Sequence, residues 1–280
     1  MADETAEWKD YPGEVDGTVK VLEGVRSPEL ENERDIVVYL PPSYGASARR
    51  YPVVYMQDGQ NLFDPATAFG EEWGVDRTLE SASRDGLEAI VVGIPNLGEE
   101  RLDEYSPWRD RRHDAGGKGG AYAEFLVRTL KPRIDRDFRT LPGREGTGIC
   151  GSSMGGLISL YAFFRHPAVF GFAGAMSPAL WFGGRSIFPF VSERPFSPGR
   201  IYLDVGTNEG REALHDVRRM KEVLTRKGYV AGRDLLYVVE MGGRHEERAW
   251  ARRLRRALHF MLGVPVRQGA GPRVRGTEAL

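Results

Sequence analysis

Short apolar runs recur along this chain, most of them separated by a stretch long enough for one amphipathic helix, and that alternation constrains the fold more than any other feature. The runs fall at 19–25, 36–40, 53–57, 89–94, 146–150, 171–176, 201–205 and 235–240, and their length and turn-forming borders predict eight strands. Between them, Tyr122, Phe125, Leu126, Leu130 and Ile134 share one helical face, with Pro132 expected to kink or shorten that helix. Leu214, Val217 and Leu224 make a second helix closed by Gly228; Trp250, Leu254, Leu258 and Met261 make a last one ended by Gly263 and Pro265. Strands repeatedly followed by helices predict an α/β fold whose mostly parallel sheet carries helices on both faces. The polar connection between the first two strands is short, so these two are expected to form an antiparallel edge.

A chain of 280 residues accommodates one large core. The domain is expected over 17–263, after an N-terminal extension at 1–16 and before a basic, Gly-containing tail at 264–280 that reads as disordered. With 39 basic and 40 acidic residues, no global field gathers nucleic acid or an anionic membrane surface. Arginines 248, 252, 253, 255 and 256 are expected to form a solvated helix face, because no aromatic groups are interleaved for base stacking. The one cysteine, Cys150, excludes an internal disulfide and reads as a packed thiol. No run approaches the ~18 apolar residues of a membrane helix, and the acidic N-terminus lacks an apolar core, so a cytoplasmic location is expected. Composition leaves the oligomeric state open.

The stretch "GICGSSMGGLISLY" joins a predicted strand to a predicted helix. Gly146, Gly148 and Gly151 fit G-x-G-x-x-G, but that pattern overlaps the strand, and no acidic residue lies between Gly151 and Glu193 to hold a ribose. A better match is G-x-S-x-G, written Gly151-Ser152-Ser153-Met154-Gly155. There the central serine stands exposed on a strained turn, at a helix N-terminus that favours developing negative charge. On the pattern alone, a Gly-rich turn with two filler serines is the alternative.

A serine nucleophile needs a histidine to take its proton and a carboxylate to orient that histidine, and in sheets of this kind they follow in the order Ser, Asp/Glu, His. Of the five histidines, only His245 follows the last strand in a glycine-flanked loop, "MGGRHEERAW". His113, His166, His215 and His259 read as surface or packing residues. "HEERA" is not a metal-binding helix, since Ala249 stands where the second histidine ligand belongs; no metal or other cofactor is expected. For the acid, Glu209 lies just beyond the strand "RIYLDVG", whereas Asp204 lies inside it, which makes Glu209 the candidate and Asp204 the alternative. The oxyanion donors expected are the backbone N–H of Met154 and, in "YMQDGQNLFD", that of Gln60, with Asn61 second.

These segments, with "EEWGVDRTL", "EERLDEYSPW", "GGKGGAYAEFL", "MSPALWF" and "LDVGTNE", resemble the esterase family of α/β-hydrolases that includes esterase D, feruloyl esterases and enterobactin-type siderophore esterases. The resemblance runs from about Gly17 to Gly263. It implies an α/β-hydrolase sheet of eight strands and carries Ser153, Glu209 and His245 onto a catalytic triad. A G-T-N-D loop of related feruloyl esterases matches Gly206-Thr207-Asn208-Glu209. Gln57 departs from the pattern, since many relatives have histidine before the Asp-Gly pair.

Together these readings predict a serine esterase that acts on a small-molecule ester through an acyl-enzyme. The alternatives are a thioesterase or acyltransferase with the same triad, and a non-catalytic binding protein on the same fold. Aromatic segments above the sheet edge nominate Trp181 as pocket wall, with Asn61, Arg101 and Tyr105 as further substrate contacts. An aromatic, catecholate or hydroxycinnamoyl acyl group is therefore favoured. A structural ion pair between Arg101 and Glu104 is an equal alternative for that arginine.

Overall fold

The computed structural model describes residues 7–265. Nine strands form one sheet: β1 (Lys9–Asp10), β2 (Thr18–Ser27), β3 (Asn32–Leu40), β4 (Val53–Gln57), β5 (Ile90–Ile94), β6 (Thr147–Ser152), β7 (Phe172–Met176), β8 (Arg200–Gly206) and β9 (Leu235–Glu240). Their spatial order is β1-β2-β3-β5-β4-β6-β7-β8-β9. All eight expected strands are present. The ninth, β1, pairs antiparallel with β2 through Lys9 and Asp10, two exposed charged residues that give no apolar signal. The expected antiparallel edge extends one strand further than the sequence suggests, since β3 also runs antiparallel to β5; β5 through β9 are parallel.

Alternation of side chains along each strand divides the interior into two layers. Val53 and Tyr55 face one layer with Leu157, Ile158, Val217 and Leu224. Val54 and Met56 face the other, with Val75, Leu79, Trp250, Leu254 and Leu258. The helices are α1 (Val75–Ser83), α2 (Arg101–Glu104), α3 (Gly119–Glu124), α4 (Lys131–Asp137), α5 (Met154–Arg165), α6 (Ile187–Glu193), α7 (Arg211–Lys227) and α8 (Glu247–Leu262). Helices α1 and α8 cover one face, and α3, α5, α6 and α7 cover the other.

Pro132 was expected to kink or shorten its helix, and the helix changes character just before it without the helical run ending. The chain passes from α3 through a π-helical stretch, Phe125–Leu130, into α4, where Pro132 sits in the first turn. A proline removes an N–H and crowds the carbonyl four residues back, and the wider π turn accommodates both. Residues 8–10, inside the segment expected to be an extension, are tied to the domain: Trp8 donates to Asp137 at 2.8 Å and meets Phe138 edge-on. Residues 266–280, most of the expected disordered tail, lie outside the described residues. Cys150 is fully buried, and burial pushes its thiol up to about 12.

Glu104 does not pair with Arg101. It accepts two hydrogen bonds from Arg34, at 2.9 and 2.6 Å, and both side chains are fully buried. That pair ties α2, which begins at Arg101, to β3. Removing one partner strands a charge away from water, so Glu104→Leu is expected to cost about 3–5 kcal/mol in urea unfolding, most of it recovered in Arg34→Met/Glu104→Leu. A loss of less than about 1 kcal/mol in the single variant would show that the charge finds solvent.

Candidate active site

The turn between β6 and α5 holds Ser153 at φ 53° and ψ −120°, a region that a residue with a side chain enters only under constraint. The constraint is visible in the hydrogen bonds. The Ser153 N–H donates to the Met176 carbonyl at 2.9 Å, and the Ser153 carbonyl accepts from Leu157 and Ala179. Strand and helix also approach too closely for side chains at the flanking positions. A Cβ at Gly151 would lie 2.7 Å from the Gly155 backbone, and one at Gly155 would lie 2.9 Å from Gln57 Cβ. This is the physical content of the G-x-S-x-G spacing.

His245 lies in the loop between β9 and α8. Its Nε2 is 2.9 Å from Ser153 Oγ, and its Nδ1 is 2.9 Å from Glu209 Oε2. Glu209 stands in the loop after β8 with its carboxylate buried. Burial pushes the Glu209 carboxyl up, but hydrogen bonds from His245, the Ser177 hydroxyl and the Gly206 N–H outweigh it and leave the group below its ordinary value. The structure therefore brings Ser153, His245 and Glu209 into one continuous chain of contacts. Asp204 is held elsewhere: fully buried, it accepts from the Ser177 N–H at 2.9 Å and the Tyr202 hydroxyl at 2.8 Å and faces Arg253 at 3.1 Å. Its carboxyl is pushed up to about 6 by burial, with Arg253 opposing.

Met154 opens α5, where the first backbone N–H groups have no partner within the helix. Gln60 lies in the turn Gly59–Asn61, reached through Asp58 in a left-handed conformation at φ 55°. Gly59 is packed so tightly that a Cβ there would be 2.5 Å from the Ile94 nitrogen. Because Gln57 and Asp58 also press against Gly155, the two turns that carry Met154 and Gln60 lie side by side. Asn61, the second choice as oxyanion donor, is excluded from that role because its N–H donates to the Asp58 carbonyl at 2.9 Å. Its side-chain oxygen accepts from the Phe69 N–H at 2.9 Å and so shapes the loop beyond.

The other expected substrate contacts divide. Trp181 is 40% exposed and packs against His113 and Phe182. Tyr105 is fully buried, with its hydroxyl accepting from the Asp58 N–H and its ring against Tyr122, so its body supports the site from beneath and offers no face to substrate. Arg101 makes a two-pronged pair with Asp58, at 2.7 and 2.9 Å. Phe69 is 85% exposed. Its neighbour Gly70 stands beside Glu247, two residues past His245. Gln57 accepts from the Tyr122 hydroxyl. A cavity of about 460 Å³ borders Gly59 and Gln60, walled by Val21, Val37, Phe63 and Leu97. Among the described residues, no group of three or more His, Cys, Asp or Glu could hold a metal ion, and no helix is long and apolar enough to cross a membrane.

Two residues at the site were missed from the sequence. Ser177, in the "MSPALW" segment, touches Glu209, Trp250 and Arg253. Arg253, expected on a solvated face, is buried. The signal was available: Trp250, Arg253, Leu254 and Ala257 fall at i, i+3, i+4 and i+7, which places the arginine on the apolar stripe of α8.

A mostly parallel sheet with an antiparallel edge, helices on both faces and a serine on the strand-to-helix turn define the chain as an α/β-hydrolase. The enterobactin esterase Fes of Shigella flexneri has the same fold, with a TM-score of 0.68 at 18% identity over 89% of this chain and 60% of that one. The family model described as "Putative esterase" matches residues 27–261, and the chain belongs to that family. It is 30% identical over 256 residues to the uncharacterized protein YbbA of Bacillus subtilis, spanning 86% of this chain and 98% of YbbA. It is 26% identical over 222 residues to the endo-1,4-beta-xylanase/feruloyl esterase of Xylanibacter ruminicola, spanning 77% of this chain but only 27% of that larger protein. By class the chain is an ester hydrolase with small-molecule substrates.

Proposed function

We propose that the protein is a serine carboxylic-ester hydrolase working through an acyl-enzyme, with Ser153 as nucleophile, His245 as general base and then acid, and Glu209 as the group that orients His245. The observation that supports this reading is the unbroken run of 2.9 Å contacts from Ser153 Oγ through both ring nitrogens of His245 to Glu209. Ser153 Oγ attacks the ester carbonyl as its proton passes to His245 Nε2, and the resulting oxyanion is met by the N–H groups of Met154 and Gln60. Collapse breaks the carbon–oxygen bond, and the leaving alcohol takes the proton from His245. Water, deprotonated by the same nitrogen, then releases the acid and restores Ser153.

The acyl group we propose is small and aromatic, of hydroxycinnamoyl or catecholate type. Trp181 offers a half-exposed ring four residues beyond Ser177, in the segment whose Ala179 N–H bonds the Ser153 carbonyl. A well-placed stacking pair contributes about 0.5–1.5 kcal/mol, which corresponds to about a threefold to tenfold preference if it acts in the transition state. In p-nitrophenyl ester assays, wild type is expected to favour an aryl acyl group over octanoyl, and Trp181→Ala to reduce that ratio by this factor. Preference for octanoyl, or an unchanged ratio in Trp181→Ala, would remove the aromatic pocket while leaving the esterase reading intact.

A further inference from the structure

Glu209 is useful to His245 only if its carboxylate stays in one rotation, and donors on its far oxygen hold that rotation. Ser177, just after β7, has three side-chain neighbours within hydrogen-bond distance: Glu209 Oε1 at 2.7 Å, Arg253 Nη2 at 2.9 Å and Trp250 Nε1 at 3.0 Å. The indole and the guanidinium can only donate, so they occupy the acceptor positions of the serine oxygen. Its one proton therefore goes to Glu209. The Gly206 N–H also donates to Oε1, at 2.6 Å. Oε1 is thus doubly occupied, which leaves Oε2 to face His245.

The same hydroxyl anchors the ring beneath the base. Trp250 meets His245 edge-on, with centroids 5.0 Å apart, and its N–H is fixed on Ser177. Arg253 supplies the charge balance of the region: it faces Asp204 of β8 at 3.1 Å, Glu240 of β9 at 3.3 Å and Glu209 at 3.8 Å. Glu247 of α8 also lies within electrostatic range of His245, and Arg244 and Glu246 flank the histidine in the chain.

We propose that Ser177, held in place by Arg253 and Trp250, is a positioning residue that fixes Glu209 and Trp250 around His245 and thereby sets turnover. This rests on the triad reading above. Without the hydroxyl, the Gly206 N–H alone holds Oε1, and the carboxylate is freer to turn away from His245.

The test uses the full-length protein carrying Ser177→Ala and, separately, Ser177→Gly. Ser177 has φ 41°, so the glycine variant removes the hydroxyl without strain in the left-handed region. Titration with a fluorophosphonate counts competent sites, so that rates refer to folded enzyme only. Both variants are expected to lose about 10- to 100-fold in kcat with KM within about twofold. Folded variants with kcat within about twofold of wild type, or with the loss carried by KM instead of kcat, would overturn the proposal. Failure of the wild type to be labelled at Ser153 would instead overturn the triad reading beneath it.

Discussion

Ser153→Ala is expected to lower kcat for p-nitrophenyl butyrate by about 10⁴- to 10⁶-fold while the protein stays folded. Without Oγ no acyl-enzyme can form, and what rate survives comes from binding and the oxyanion donors alone. The fold should tolerate the change because Ser153 is only partly buried and the hydrogen bonds that hold its turn are made by backbone atoms. Ser152→Ala is the matching control. Ser152 is the last residue of β6 and is buried, so its variant is expected to keep most activity. An unchanged melting temperature with near-complete loss of turnover in the first variant, and neither effect in the second, is the predicted pattern. Substantial residual turnover in Ser153→Ala would shift the nucleophile to water or to another side chain.

Glu209→Gln is expected to lower kcat by about 10³- to 10⁴-fold, because the amide cannot hold the histidine in the tautomer that accepts a proton at Nε2. Asp204→Asn should do much less, since Asp204 bonds Ser177 and Tyr202 and faces Arg253 instead of His245. Its effect should appear in stability against pH. The Asp204 carboxyl is pushed up to about 6 in the folded state, so the folded protein holds this proton more tightly than the unfolded chain. Between the ordinary carboxyl range and about pH 6, Asp204 therefore makes stability fall as pH rises, and it adds no further slope above that window. Thermal melts across it should show this component in wild type and lack it in Asp204→Asn. A greater loss of turnover in Asp204→Asn than in Glu209→Gln would move the acid into the strand.

Those two carboxylates also mark how far the sequence could be read. Chain order and position after a strand were enough to bring Ser153, Glu209 and His245 forward, because a loop at the carboxyl edge of a parallel sheet is where a side chain can turn toward its neighbours. The central strands β4 to β8 were legible for a related reason, as burial on two faces demands uninterrupted apolar runs. β1 was not, because Lys9 and Asp10 join the sheet through backbone hydrogen bonds that leave no side-chain pattern. The continuation of the helix past Pro132 depends on a π turn that no local residue announces. Arg101 could equally have served Glu104 or substrate, and it took Asp58, a partner 43 residues away. Ser177 and Arg253 act through contacts that span 76 residues, so neither the serine in "MSPALW" nor one arginine among several on a helix could be assigned its neighbours in advance.

The central claim, that Ser153 is the nucleophile activated by His245, is tested most directly by covalent trapping. The protein is incubated with a fluorophosphonate, digested, and the adduct located by peptide mass spectrometry. The account predicts one equivalent of label on Ser153, loss of ester hydrolysis in step with labelling, and strongly slowed labelling in His245→Ala. Label on Ser152, or full inactivation with Ser153 unmodified, would contradict it.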